Sequence, residues 1–237
     1  MSLSQQSPEI HHAHRDVTGG WLRPATFGVM DGLVSNFSLV AGVVGGGAPS
    51  SSVILTGLAG LVAGACSMAS GEYASVSSQT ELAQAEIAVE QRELQHNPDG
   101  ELAELIAIYE AKGLKPDLAS QVARELTADP ETAWRVHTRE ELGIDPDDLP
   151  SPWTAAGSSF AAFSVGAFIP LLPFILGAGS IAVTLILSAL ALILTGAVVA
   201  RLTARPLWFG GTRQLVLGIL SAAVTYGVGL LVGVGLS

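Results

Sequence analysis

The chain has 237 residues, of which 49% are hydrophobic and only 14% are charged, and its formal net charge is −10. Soluble domains carry about 25% charged residues, so this composition excludes an ordinary soluble protein and indicates a membrane protein. The acid excess argues against nucleic-acid binding, and the single cysteine, Cys66, excludes a disulfide framework.

The negative charge is concentrated in one segment. Residues 79–150 hold 17 Asp and Glu against 6 Lys and Arg, whereas the rest of the chain holds 4 acids and 5 bases. A carboxylate-rich block between apolar runs predicts a soluble domain inserted into a membrane body, and it favours cation handling over enzymatic catalysis. We divide the chain into a polar N-terminal segment (1–23), transmembrane helices 1 and 2 (24–78), an acidic helical domain (79–152) and transmembrane helices 3 to 5 (153–237).

The N-terminal segment contains His11, His12 and His14, a group that can bind a metal but more often has no function in a terminus. After it, five windows approach the roughly 20 apolar residues that a membrane-spanning helix needs. These windows are 25–47, 53–71, 154–176, 181–200 and 214–236.

Basic residues near the ends of these windows predict the orientation in the membrane. Arg15 and Arg23 precede the first span, and three arginines lie around the loop between spans four and five, whereas the loops after spans one and three carry no charge. We therefore expect the N-terminus and the acidic domain on the cytoplasmic side, and Ser237 outside. The three loop arginines are Arg201, Arg205 and Arg213.

The second span has no helix breaker until Pro98, which predicts one long helix that leaves the membrane. We expect three shorter helices after it, each with apolar residues at helical spacing. The first is capped by Asp99 and runs to Ala111, where Gly113 closes it. The others span 116–127 and 130–143.

The third span contains Pro170 and Pro173, which predict a kink and free backbone carbonyls that could act as ligands. Glycines in the first and fifth spans permit close helix packing, with an intramembrane dimer seam as the more specific alternative. These glycines are Gly42, Gly45 and Gly46, and Gly227, Gly229, Gly233 and Gly235.

Three residues of the first two spans are candidates for an intramembrane metal site. Asp31 is an ionisable group inside an apolar span, which usually faces a bundle interior or a wet path, although an Asp near a helix end can also reach headgroup water. Met68 and Glu72 are four residues apart and share a helix face. A carboxylate with a thioether suits Fe²⁺ better than Mg²⁺ or Ca²⁺.

The acidic domain contains two Glu-x-x-Glu pairs, Glu90 with Glu93 and Glu101 with Glu104, on either side of the Pro98 turn. Facing pairs would form an oxygen-rich cluster that holds divalent ions, although solvated helix faces produce the same pattern. Glu93 and His96 also form a Glu-x-x-His unit of the di-iron type, but such a site needs two copies and the sequence has one. The sequence has no phosphate-binding loop and no nucleophile–base pair, so neither an ATP-driven pump nor an enzyme is predicted.

The runs Met30–Asn36, Ser67–Tyr73 and Phe168–Phe174, together with the Glu-rich insert, resemble the vacuolar iron transporter family. The resemblance extends from about His14 to Ser237 in order and spacing. It implies a five-span homodimer that exports Fe²⁺, and often Mn²⁺, from the cytosol against protons.

By this resemblance Asp31 and Met68 match intramembrane metal ligands, and the cytosolic carboxylates match Glu90, Glu93, Glu101, Glu104 and Glu141. The chain departs from the family pattern in two places. His137 and Thr138 stand where some relatives have methionines, and His137 can still bind Fe²⁺ or Mn²⁺. Gly60 occupies a span-two position that is acidic in some relatives, while Glu72 is additional.

We therefore predict a multi-pass membrane transporter that binds Fe²⁺ or Mn²⁺ as substrate and has no prosthetic group. The short, loop-poor chain fits a bacterial plasma-membrane protein. In the transport hypothesis Glu72 collects ions or exchanges protons with them. The alternative is a membrane-anchored divalent-metal buffer or sensor that does not transport.

Overall fold

The computed structural model describes residues 20–236, so His11, His12 and His14 lie outside the described residues. The described part folds into α-helices joined by short connections, and five of its helices are long and apolar enough to cross a membrane. The prediction of an all-α protein with five candidate transmembrane helices is confirmed. The helices are α1 (Leu22–Gly45), α2 (Ser50–His96), α3 (Pro98–Ala111), α4 (Pro116–Thr127), α5 (Pro130–Glu140), α6 (Pro152–Phe168), α7 (Leu172–Ile175), α8 (Ile181–Leu202) and α9 (Leu207–Leu236).

Helix α2 is continuous from the apolar segment into the acidic domain, as the absence of a breaker predicted. Its 47 residues correspond to about 70 Å at 1.5 Å per residue, roughly twice the thickness of a hydrocarbon core. One helix therefore links the membrane body directly to the acidic domain, so both share a rigid element.

The acidic domain consists of α3, α4 and α5 with the end of α2. Helix α3 is capped by Asn97 rather than by Asp99, because Pro98 takes the first helical position and the Asn97 oxygen accepts from Gly100 N at 3.3 Å. Gly113, at φ +100°, ends α3 as predicted. The helix predicted over 130–143 ends at Glu140, earlier than expected, and Gly143 with φ +66° turns the chain away.

The membrane body is organised around α1, which packs against α6 on one side and α9 on the other. Gly32 on α1 and Gly166 on α6 bring two backbones together, because a side chain at Gly166 would collide with the carbonyl of Val29. Leu33 and Phe37 are fully buried in the core between α1, α8 and α9.

The third span is interrupted at its prolines, as predicted. A 3₁₀ turn, Ile169–Leu171, separates α6 from α7, and Pro170 and Pro173 are both buried. The fifth span begins at Leu207, well before the predicted start, because a single exposed arginine does not end a helix. The Arg213 guanidinium lies 5.8 Å from the centre of the Phe209 ring on the same helix.

Candidate metal centres

The acidic domain brings four potential ligands together from three helices. Glu90 comes from α2, Glu101 from α3, His137 from α5 and Glu141 from the residue that follows α5. One ligand atom from each lies within 4.8 Å of all the others. We call these four residues the Glu–His cluster.

Three of the four residues of the Glu–His cluster are buried, whereas Glu141 is exposed, and polar atoms of the buried three are not satisfied. Glu90, Glu101 and His137 are 3%, 6% and 0% exposed. The His137 Nδ1 atom lies 3.1 Å from Glu90 Oε1 and 3.6 Å from Glu101 Oε2. Even so, these two oxygens and both ring nitrogens have no hydrogen-bond partner within residues 20–236.

A buried polar atom without a partner costs about 1–3 kcal/mol. Three of the four unpaired atoms, Glu90 Oε1, Glu101 Oε2 and His137 Nδ1, lie close enough together for one cation to coordinate all three, which would explain why they lack partners. Three carboxylates and one imidazole form a ligand set suited to Fe²⁺ and Mn²⁺.

Burial and mutual repulsion change the pKa values of the Glu–His cluster. Desolvation, reinforced by the nearby Glu141 and Glu101, raises the pKa of Glu90 from its usual 4.5 to about 8. The pKa values of Glu101 and Glu141 are also raised, mainly by desolvation and then by Glu104. Desolvation lowers the pKa of His137, which favours the neutral imidazole that binds metals. The metal-free cluster therefore holds protons at neutral pH that a cation would displace.

Glu93 and Glu104, the other members of the two pairs, are exposed and lie outside the four-ligand group. Two residues three apart on an α-helix lie about 60° apart around its axis, so one member of each pair can be buried while the other remains at the rim. The rim charges still act on the cluster, since both raise the pKa of Glu101.

His96 lies apart from the Glu–His cluster. Its Nδ1 atom is 2.7 Å from the carbonyl oxygen of Arg92, one turn earlier on α2. The single Glu-x-x-His unit therefore does not form the di-iron arrangement that the sequence already disfavoured.

A second candidate site lies within the membrane-spanning helices. It is an open pocket of about 330 Å³ between α1, α2 and α6. Its wall contains a carboxylate, a thioether, two hydroxyls and an amide. These groups come from Asp31, Met68, Ser35, Ser67 and Asn36, and Gly60 and Gly64 also line the space. We call this space the Asp31 pocket.

Glu72 is not in the Asp31 pocket. Its Oε2 atom accepts from Arg23 Nη2 at 3.2 Å, beside a smaller cleft of about 290 Å³. Met68 borders both the cleft and the Asp31 pocket, so the two spaces are neighbours along α2. Glu72 therefore lies on α2 between the Asp31 pocket and the acidic domain.

Asn36 is one of the polar pocket residues that sequence analysis did not single out, together with Ser35 and Ser67, and it is 3% exposed within an apolar span. The available signal was this polarity. The pattern does not say which face of α1 the side chain occupies, and only the position of α6 settles it.

Comparisons with known proteins agree on one family. A model described as the VIT family matches residues 22–230. The chain is 39% identical over 222 residues to "Vacuolar iron transporter" of Acanthamoeba castellanii, and the aligned region covers 90% of this chain and 79% of that protein. It is 33% identical to "Vacuolar iron transporter 1" of Oryza sativa subsp. japonica over 92% of this chain and 88% of that protein. It is 37% identical to "Vacuolar iron transporter homolog 3" of Arabidopsis thaliana over 90% of this chain and 84% of that protein.

Proposed function

The chain belongs to the VIT family, and from that membership we propose that it exports Fe²⁺ or Mn²⁺ from the cytosol in exchange for protons. Metal transport is the activity that the names of its relatives state. The observation that best supports the proposal is the Asp31 pocket, in which a carboxylate and a thioether meet inside helices long enough to cross a membrane.

Competition between metal and proton for Asp31 would couple the two fluxes. A divalent ion binds the carboxylate and the Met68 sulfur when Asp31 is ionised, and a proton from the acidic side displaces it. Glu72 lies on the path by which the ion approaches the pocket. An arriving cation displaces Arg23 from the Glu72 carboxylate. This mechanism needs no reaction chemistry, in keeping with a transporter family.

The acidic domain supplies ions to the membrane body. The Glu–His cluster holds a cation, and the exposed Glu93 and Glu104 raise its local concentration at the rim. Because α2 carries both Glu90 and Met68, the two candidate sites are joined by one helix. The domain lies on the cytoplasmic side in this proposal, and the protein resides in a bacterial plasma membrane.

We propose that the protein is a homodimer across α2. Asp31 and Ser35 are exposed in the single chain, although α1 is apolar enough to lie in a membrane, and lipid is a poor environment for a carboxylate. The exposed face of α2 beside them is a stripe of small residues, which lets two helices approach closely. This stripe comprises Ala59, Ala63, Cys66, Ser67, Ser70, Gly71 and Ala74.

The single cysteine tests the dimer. Because Cys66 lies on the small-residue stripe, we expect mild oxidation or a short bis-maleimide linker to convert most of the protein in native membranes to a species of doubled mass. A Cys66→Ser variant should give none. The matched control is Val198→Cys in that background. Val198 lies on α8 and is 51% exposed, and this variant should remain monomeric. Equal cross-linking at both positions would argue against an α2 interface.

Metal flux in sealed proteoliposomes tests the transport proposal. With Mn²⁺ or Fe²⁺ outside, an acidic lumen and a metal-quenched dye inside, we expect quenching that increases with the pH gradient and exceeds the amount of protein many-fold. Collapse of the gradient with an ionophore should reduce the rate. Quenching that is independent of the gradient would leave metal transport but reject proton exchange.

A metal buffer or sensor is the second candidate function, because one chain supplies all four members of the Glu–His cluster. A buffer would bind metal in fixed proportion to the protein and would produce no accumulation in the lumen. The same flux assay, compared with equilibrium binding, therefore separates the two functions.

A further inference from the structure

Asn36 is a buried polar residue whose two polar side-chain atoms differ in their hydrogen bonding. Its Nδ2 atom donates to the carbonyl oxygen of Ala167 on α6, whereas its Oδ1 atom is buried and has no partner within the described residues. The residue is 3% exposed and lines the Asp31 pocket. An unpaired amide oxygen in such a place is unfavourable, because its desolvation is not compensated, and a ligand would offset this cost.

The proline kink explains why Ala167 accepts this hydrogen bond. Ala167 lies in the last turn of α6, where the 3₁₀ turn Ile169–Leu171 interrupts the α-helical hydrogen bonds, and the last four carbonyls of an α-helix have no partner within the helix. A carbonyl oxygen only accepts, so the amide end that faces Ala167 must be the NH₂ group. The orientation of Asn36 is thereby determined, and its oxygen points away from α6.

The oxygen faces the space that Gly60 leaves open on α2. A Cβ atom at Gly60 would lie 3.4 Å from Asn36 Oδ1, and Gly60 itself lines the Asp31 pocket. Among the described residues, the other close neighbour of that position is the Leu39 Cδ2 atom at 3.0 Å. The missing side chain of Gly60 therefore leaves space beside the buried Oδ1 atom.

We infer that Asn36 supplies a neutral carbonyl oxygen to the divalent cation in the Asp31 pocket and that the proline kink of α6 holds it in place. This inference rests on the proposed transport function and adds a ligand to it. An amide oxygen is a hard ligand that suits Mn²⁺ and Fe²⁺, whereas the Met68 thioether suits softer ions. Because it carries no charge, it contributes affinity without a second proton-binding group, which leaves proton exchange to Asp31.

Replacing Asn36 by Leu, which has a similar shape, tests the inference in the flux assay with the full chain. We expect the half-saturating Mn²⁺ concentration to rise about tenfold or more, the range seen when groups around a metal site are removed. Transport of Cd²⁺, a soft ion that the thioether favours, should change much less. Met68→Leu should have the opposite selectivity and impair Cd²⁺ more than Mn²⁺.

Two further variants separate ligand binding from helix packing. Ser38→Ala removes a hydrogen bond of 2.8 Å to Ser221 that joins α1 to α9, and it lies outside the Asp31 pocket, so both half-saturating concentrations should stay at the wild-type values. Gly60→Ala places a methyl group against Asn36 Oδ1 and leaves the bond to Ala167 intact. We expect it to raise the Mn²⁺ value several-fold, even if the Leu variant does not fold.

A wild-type Mn²⁺ value in Asn36→Leu would overturn the inference, as would an equal loss of Mn²⁺ and Cd²⁺ transport in that variant. If Asn36→Leu does not fold, an unchanged Mn²⁺ value in Gly60→Ala overturns it instead. Absence of any flux in the wild-type protein would reject the proposed function first, and the inference with it. Failure of the inference and failure of the proposed function can be told apart, because the half-saturating concentrations of Mn²⁺ and Cd²⁺ are compared only in proteins that transport metal.

Discussion

Replacing Asp31 by Asn is expected to abolish metal transport. The substitution keeps the size of the side chain but removes the one carboxylate that the described residues contribute to the Asp31 pocket. Both the charge that attracts a divalent ion and the group that exchanges protons are lost with it. Loss of partners that only surround a metal site costs about 10–100-fold in affinity, so loss of the charged ligand should reduce flux by more than about 100-fold.

The fold should tolerate this change, because Asp31 is exposed in the chain and does not belong to its buried core. Equal expression, an unchanged elution profile and normal Cys66 cross-linking would establish that Asp31→Asn is intact. The matched control is Asp117→Asn, the same chemical change at an exposed position of α4, which should transport normally. Wild-type flux in Asp31→Asn would show that the ion takes another route.

The double change of Glu90 and Glu101 to Gln is expected to eliminate tight Mn²⁺ binding by the acidic domain. It removes two of the three carboxylates of the Glu–His cluster while preserving side-chain shape. In the wild-type protein, Mn²⁺ at 100 times its dissociation constant should stabilise the fold by about 2.7 kcal/mol. The double variant should show almost none of this stabilisation in thermal unfolding of the detergent-solubilised chain.

The exposed rim provides the matched control. Glu93→Gln with Glu104→Gln also replaces two Glu residues, and because the pKa of Glu90 is about 8, the rim variant loses at least as much negative charge near pH 7. A purely electrostatic effect would therefore be at least as large in the rim variant. We expect the rim variant to keep one tight site with moderately weaker affinity, measured by equilibrium dialysis at fixed ionic strength. Equal loss in both variants would mean that the domain attracts cations without binding them at the Glu–His cluster.

The stabilisation of the fold by Mn²⁺ is expected to depend on pH. The pKa of Glu90 is raised from 4.5 to about 8, so the metal-free fold binds more protons than the unfolded chain between these values and its stability falls as pH rises through that window. His137 acts oppositely, because its pKa is lowered and its contribution is lost as pH falls below about 6.5. Since Mn²⁺ replaces the Glu90 proton, its stabilising effect should be larger at pH 8 than at pH 6, and Glu90→Gln should remove that difference.

Much of this protein follows from local features of its sequence. Five apolar runs predict five spans because a bilayer requires a minimum apolar length, and Pro98 predicts where α2 ends because proline cannot continue a helix. Asp31 was identifiable because an acid in an apolar run is costly without a purpose. These conclusions depend on neighbours in sequence, for which spacing is sufficient evidence.

Helix spacing was less informative about the acidic domain. The two Glu-x-x-Glu pairs indicated an oxygen-rich region, but they did not say that Glu90 and Glu101 would be buried while Glu93 and Glu104 stay exposed. That division depends on the packing of α5 against α2 and α3, which places His137 between the two inward carboxylates. Periodicity supplies relative directions on one helix but not the angle at which the next helix docks.

The sequence by itself therefore determined the class of protein, its five spans, its acidic insert and the residue types available for a cation. Only the tertiary structure decided which of these residues meet. The Asp31 pocket requires α1, α2 and α6 side by side, and the orientation of Asn36 depends on a carbonyl 131 residues away in the last turn of α6. Contacts between distant segments arise from packing and hydrogen-bond satisfaction across helices, and no local pattern encodes their geometry.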